Sequence, residues 1–202
     1  RFTATYFMKS KNEVADKLQQ YLDEFYVSRG ITLQTIQTDN DSCFAGQNLL
    51  LLSSKNKFRK ICASLNIQLR HSSPYCHWEN GVAERVIRTM MEKSFTVMAQ
   101  RDIAAQHWAH ALSHVVKVNN CLPHSSINNE TPYWRWYESR PKFTNVKPFG
   151  CDVRVNTPKE DKPKKYIDPP GWMGIYIGFD YDSSSHKVFK PSHGAYKWKI
   201  VK

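Results

Sequence analysis

The stretch QTIQTDNDSCF, residues 34–44, decides how the first part of the chain is read. Ile31, Leu33 and Ile36 supply an apolar run with Thr32 and Thr35 between them, and the run stops at Thr38-Asp39-Asn40-Asp41. An apolar, β-branched run closed by turn formers predicts a buried strand. The strand then ends on a carboxylate, Asp39, and burying an acid costs free energy unless a cation or hydrogen-bond donors meet it.

Working outward, residues 2–8 alternate, with Phe2, Ala4, Tyr6 and Met8 on one face, and predict a strand that opens in mid-domain. Ser10-Lys11-Asn12-Glu13 has the capping-box pattern. Val14, Leu18, Tyr21, Leu22 and Phe25 follow at helical spacing until Gly30. Strand, helix and strand in that order imply a parallel α/β pairing. Downstream, Phe58, Ile61, Cys62 and Leu65 share the face of a helix around 55–65, and IQLRHSS gives a short strand broken by Pro74. Tyr75, Cys76, His77 and Trp78 form a loop leading to Asn80-Gly81. Helices are expected from Val82 to about Gln100 and from 104 to 119, with a short aromatic one near 131–138 that has Pro132 in its first turn. Between 141 and 170 the composition turns to proline and lysine. After it GWMGIYIGFD, KVFK and YKWKIV predict short strands of a small β-barrel.

The chain has 202 residues, with 29 Lys and Arg against 18 Asp and Glu, a net charge of +11. That balance favours a polyanionic partner, most simply nucleic acid, over a merely basic surface. No apolar run is long enough to span a membrane and no signal-peptide pattern opens the sequence. The five cysteines are odd in number, widely spaced and without a CxxC, which argues against a disulfide framework or a structural zinc site and for reduced thiols. Ligand roles are not assigned to the eight histidines. Trp108, Trp134 and Trp136 are read as packing residues rather than base-stacking platforms. The lysines from 159 to 165, among them Lys162, Lys164 and Lys165, are either a solvated linker or phosphate contacts.

Glu84 falls in the first turn of the long helix, directly after Asn80-Gly81. An acid there has a purely structural use, because it complements the helix dipole. Arg85 and Arg88 add a basic face beginning one residue later, and Arg88 stands at the i,i+4 position for pairing with Glu84.

TDN followed by SSPYCHWENGVAERVIRTM resembles the core of retroviral and retrotransposon integrases. FMKSKNEV, HWAHALSHVVKVNNCLPHSSINNETPYWRWYESRP, VKPFGCDVRV and GWMGIYIGFD narrow the resemblance to the copia-type (Pseudoviridae) branch, over essentially the whole chain. NGVAER with the later FGC and IGF is the specific part. The resemblance implies an α/β, RNase H-like catalytic core over 1–102, its first strands missing. A helical extension over 103–144 and a small SH3-like β-barrel over 145–202 would follow. It implies an Asp, Asp, Glu triad holding two Mg²⁺ or Mn²⁺ ions, with the second Asp at Asp39 and the Glu at Glu84. The first Asp belongs upstream of RFTATYFM, so a fragment or processed chain is expected. The implied reaction is strand transfer of element cDNA ends into target DNA, with 3′-end trimming. Tyr75, Asn80, Arg85 and Arg88 match positions that contact DNA ends, and Tyr75 is equally readable as a loop anchor. A homo-oligomer, dimer or tetramer, is implied. So is a route from a cytoplasmic virus-like particle to the nucleus, with no membrane partner.

Three features depart from the family pattern. Asp39 and Glu84 stand further apart than usual, the surplus falling in AGQNLLLLSSKNK, where a loop insertion is cheap. Asp41 replaces the usual glycine. His77, Trp78 and Glu79 replace the glutamine and proline common in that loop. The rival reading is a domesticated, non-catalytic descendant kept as a DNA- or protein-binding module. A general RNase H-type nuclease leaves the match beyond residue 140 unexplained.

Overall fold

The computed structural model describes residues 1–39, 44, 57–72, 80–143, 146–156, 171–180, 185–190 and 197–201, with Asp180 and residues 197–201 as backbone alone. The chain divides into two compact units, one of residues 6–87 and one of residues 1–5 with 88–202.

In the first, the capping signal at Ser10 works much as the sequence predicts. The Ser10 side chain accepts from Asn12 N–H at 3.2 Å, and Glu13 Oε1 reaches back to accept from Lys9 N–H at 3.3 Å. The entry turn, Lys11–Glu13, is 3₁₀ and leads into α1, Val14–Phe25. Gly30, at φ 65°, ends the following turn in the left-handed conformation that glycine adopts without strain. Strand β1 is Thr35–Thr38, α2 is Lys57–Ser64 and β2 is Gln68–His71. The two strands pair in parallel, Thr35 opposite Gln68 through Thr38 opposite His71. A parallel pair needs a crossover, and α2 lies in it. Ala15 and Leu22 of α1, Phe58 and Cys62 of α2, and Ile67 form the buried core, with Ile36 and Leu69 packed against it. Burial raises the Cys62 thiol pKa.

Residues 1–8 form neither helix nor strand, against the alternation of their sequence. A side chain supplies what a neighbouring strand would have supplied. Thr3 N–H donates to Asn120 Oδ1 at 3.0 Å, and Asn120 Nδ2 donates to the Thr3 carbonyl at 2.7 Å. Phe2 stacks on Trp136 with ring centroids 5.6 Å apart.

The second unit takes in the later part of α3, Gly81–Ala99, then α4, Trp108–Asn120, and α5, Pro132–Tyr137. Thr131 caps α5 by accepting from Trp134 N–H at 3.1 Å, with Pro132 at its start as the sequence predicts. Trp136 packs as expected, but Trp108 and Trp134 are exposed. Strands β3, Asp152–Asn156, β4, Gly171–Asp180, β5, Ser185–Lys190, and β6, Lys197–Val201, form an antiparallel meander in chain order. The described strands leave β3 and β6 as edges, so the SH3-like barrel stays an expectation. Met98, Ala111, Phe149, Ile177 and Phe189 make one core shared by α3, α4 and the sheet.

The FGC and IGF motifs have physical reasons. Gly150 sits at φ 78°, and a Cβ there would stand 2.8 Å from Arg101 Cγ and from Ile103 Cδ1. Its N–H donates to the Tyr176 carbonyl at 2.8 Å, fastening the turn to β4. Gly178, at φ 147°, lies where the β4–β5 register shifts.

Helix α4 and the turn before it face this sheet with histidines. His107 lies 5.1 Å from the Phe189 ring; His114 lies 5.6 Å from Phe149 and 5.9 Å from Tyr176. Burial lowers the pKa of His107, and that of His110 with help from His107 and Lys187. Burial, then the Lys117 ammonium, lowers His114 to about 4. An imidazole with a depressed folded pKa binds its proton first in the unfolded chain. The stability it contributes is therefore complete above its ordinary pKa of 6.5 and lost as pH falls from there toward 4. Urea midpoints should decline across that window, and His114→Phe should flatten the decline.

Candidate active site

The site is built on the register of the parallel ladder. β1 and β2 end together at Thr38 and His71, and Ser72 N–H donates to the Thr38 carbonyl at 3.0 Å, extending the ladder by one bond. Asp39 comes next in the chain, at the carboxyl end of the strand. In open parallel sheets that is the edge where ligands bind.

One expectation needs correction. β1 is only partly covered, with Gln37 exposed and Thr38 buried, and Asp39 is itself exposed. The carboxylate therefore escapes the desolvation cost that burial would impose. The alternation is that of a half-buried strand, with Gln37 and Asp39 on the open face and Thr38 turned inward.

Thr38 is buried against a hydrogen-bonded chain that sequence reading missed. Its hydroxyl lies 2.8 Å from His71 Nδ1, and Arg59 Nη2 lies 3.5 Å from His71 Nε2. A guanidinium only donates, so Nε2 accepts and Nδ1 carries the proton that it donates to Thr38 Oγ1. Arg59 also donates from Nε to the Phe44 carbonyl at 3.1 Å. The only sequence signal was positional: a histidine at the end of the strand that pairs with β1.

The second acid comes from α3. Glu84 lies in its first turn and is exposed, as are Arg85 and Arg88 on the same helix. Asn80, directly before the helix, ties this end to the strands. Gln37 Nε2 donates to Asn80 Oδ1 at 3.5 Å, and Asn80 Nδ2 donates to Ser72 Oγ at 3.1 Å. These bonds bring the start of the Glu84 helix to the strand edge that carries Asp39. Two exposed carboxylates on separate elements are oxygen donors of the kind that suits a hard cation retaining several waters. Among the described residues no group of three or more His, Cys, Asp or Glu forms a metal cluster.

Tyr75, Lys162, Lys164 and Lys165 lie outside the described residues, as do Asp41, His77, Trp78 and Glu79. His110 and His114 stand four apart on α4, a ligand-type spacing overlooked in the sequence. Both are half-buried, and His114 packs against the rings of Phe149 and Tyr176. The described cysteines, Cys62, Cys121 and Cys151, are free, and no described helix is long and apolar enough to cross a membrane.

No protein-family model matches the chain. It is 24% identical over 186 residues, 92% of its length, to the retrovirus-related Pol polyprotein from transposon TNT 1-94 of Nicotiana tabacum, covering 13% of that protein. It is also 24% identical over 153 residues, 75% of its length, to the retrovirus-related Pol polyprotein from transposon RE2 of Arabidopsis thaliana, covering 10% of that protein. The chain thus spans about an eighth or less of the length of these curated relatives. Among solved structures, a chain of the simian T-cell lymphotropic virus intasome in complex with PP2A regulatory subunit B56 gamma matches with a TM-score of 0.50 and 18% identity. The match covers 99% of this chain and 66% of that one.

Thr38→Val keeps the shape of the side chain and removes the acceptor for His71 Nδ1–H. Leaving that donor unmet should cost about 1–3 kcal/mol, read as a lower urea midpoint with an unchanged m-value.

Proposed function

We propose, from kinship with the Pol polyproteins of copia-type plant transposons, that this chain is the integrase segment of such a polyprotein. Its reaction is Mg²⁺-dependent joining of element cDNA ends to target DNA, with 3′-end processing. The observation that carries the reading is the junction at Asn80, which ties the start of the Glu84 helix to the strand ending at Asp39.

Asp39 and Glu84 are this chain's oxygen ligands for the metal. Two Mg²⁺ or Mn²⁺ ions, when bound, supply the activation of a water or a DNA 3′-hydroxyl and stabilise the leaving oxygen of an in-line phosphoryl transfer. The protein provides no covalent nucleophile; its part is positioning and electrostatics. Arg85 and Arg88, exposed along α3 beyond the acid, hold DNA phosphates through charge-assisted hydrogen bonds. Tyr75 and the lysines at 162, 164 and 165 belong to the same DNA surface. The net charge of +11 supports such a partner. The active form is a homo-oligomer acting in the nucleus. By role, residues 1–102 carry the chemistry, 103–144 extend it, and 145–202 add DNA affinity.

In a protein that includes the Pol residues upstream of Arg1, Asp39→Asn and Glu84→Gln should each abolish strand transfer. The loss should be about a hundredfold or more, since a lost ligand charge removes several kcal/mol of transition-state stabilisation. DNA affinity should hold. Joining near the wild-type rate in either variant rejects the catalytic assignment and favours the domesticated binding module.

Because the C-terminal sheet shares a core with the helices, its DNA role is best tested by substitution rather than deletion. Changing Lys162, Lys164 and Lys165 to Gln should weaken DNA binding and reduce the slope of log affinity against log salt. Each lost phosphate contact should take away about 0.9. An unchanged slope assigns these lysines to a solvated linker.

A further inference from the structure

Gln37, Ser72 and Asn80 come from three places in the chain: inside β1, just after β2 and just before α3. The Asn80 amide joins all three, its oxygen at 3.5 Å from Gln37 Nε2 and its nitrogen at 3.1 Å from Ser72 Oγ. Turning both amides over preserves both bonds, because the Ser72 hydroxyl donates as readily as it accepts. Ser72 is in turn fixed to β1 by its N–H bond to Thr38. Both partners of Asn80 therefore ride on one two-stranded frame.

The periodicities of strand and helix give this clamp its reach. Asp39 follows β1 directly and is exposed like Gln37, on either side of the buried Thr38, and Asn80, directly before α3, stands one helical turn ahead of Glu84. A bond between Gln37 and Asn80 consequently brings along the next member of each pair. We propose that Asn80 is the positioning residue of the acidic pair: its amide, held by Gln37 and Ser72, sets where Glu84 stands relative to Asp39. The inference rests on the metal-binding reading of that pair. It differs from a direct DNA contact at Asn80, which would use the second N–H and the second lone pair of the amide rather than the two bonds that form the clamp.

The test is Mn²⁺ binding to the 202-residue chain, followed by the loss of the free-ion electron paramagnetic resonance signal, beside DNA affinity measured without metal. Asn80→Ala should lower Mn²⁺ affinity about tenfold, the scale on which groups that orient metal ligands act, and leave DNA affinity unchanged. Ser72→Ala should lower Mn²⁺ affinity in the same direction, and Ser72→Thr, which keeps the hydroxyl, should restore it. This pair carries the test if Asn80→Ala does not fold. Asp39→Asn is the reference. If it abolishes Mn²⁺ binding while Asn80→Ala and Ser72→Ala do not alter it, the positioning role is overturned and the metal site stands. If Asn80→Ala weakens DNA binding alone, Asn80 is a DNA contact and the proposal fails. If Asp39→Asn leaves Mn²⁺ binding intact, the metal reading itself falls and the proposal with it.

Discussion

Thr38 lies opposite His71 in a parallel ladder, and the arrangement of the candidate site follows from that one register. Side chains on a strand alternate, so a slip of one residue would turn Thr38 outward and Asp39 toward the core. The register is held from both sides. Ile36 and Leu69 pack against the core of α1 and α2, and the Thr38 hydroxyl meets His71 Nδ1 at 2.8 Å. A slip would lose apolar burial, take from the half-buried His71 imidazole its hydroxyl partner, and bury a carboxylate. All three costs act in one direction, which makes the strand edge a stable base for an exposed acid.

The remainder of the chain solves a different problem. A four-stranded meander has one face to cover, and here α3 and α4 cover it through a common core that includes Ala111, Phe149 and Phe189. Close approach is bought with small residues and odd backbone: Ala111 has no exposed surface, and Gly150 sits where any side chain would strike Arg101 and Ile103. The motifs FGC and IGF thus record packing and backbone constraints of the sheet rather than chemistry.

Much of the local structure was legible in the sequence because its causes are local. Ser10 and Glu13 announced the entry to α1, Thr131 and Pro132 announced α5, and Asn80-Gly81 marked the start of α3. Both acids were identifiable by place, one after a strand and one in a first helical turn. What could not be read was non-local. Residues 2–8 alternate like a strand, but the backbone of Thr3 finds its partner in a side chain 117 positions away. The Thr38–His71–Arg59 chain exists only once the register is set. The burial expected around Asp39 came from Ile31 and Leu33, yet Ile31 is 46% exposed and β1 begins only at Thr35. The clamp at Asn80 was equally hidden, since a loop-end asparagine next to glycine says turn before it says partner.

The pairing of Thr3 with Asn120 sets an order of events during synthesis. A chain emerging from its N-terminus can close α1, α2 and the parallel ladder once residue 71 is out, since their core lies within residues 6–87. Arg1–Thr5 belong instead with residues 88–202, and their acceptor and donor do not exist until Asn120 has been added. At ribosomal rates of about 5–20 residues per second, that interval lasts several seconds. Through it the Thr3 backbone groups have only water for partners, and Phe2 waits still longer for Trp136. Residues 1–5 are thus made before the segment 6–87 yet find their place after it, and nascent-chain contacts during that wait will bear on folding yield more than on final stability.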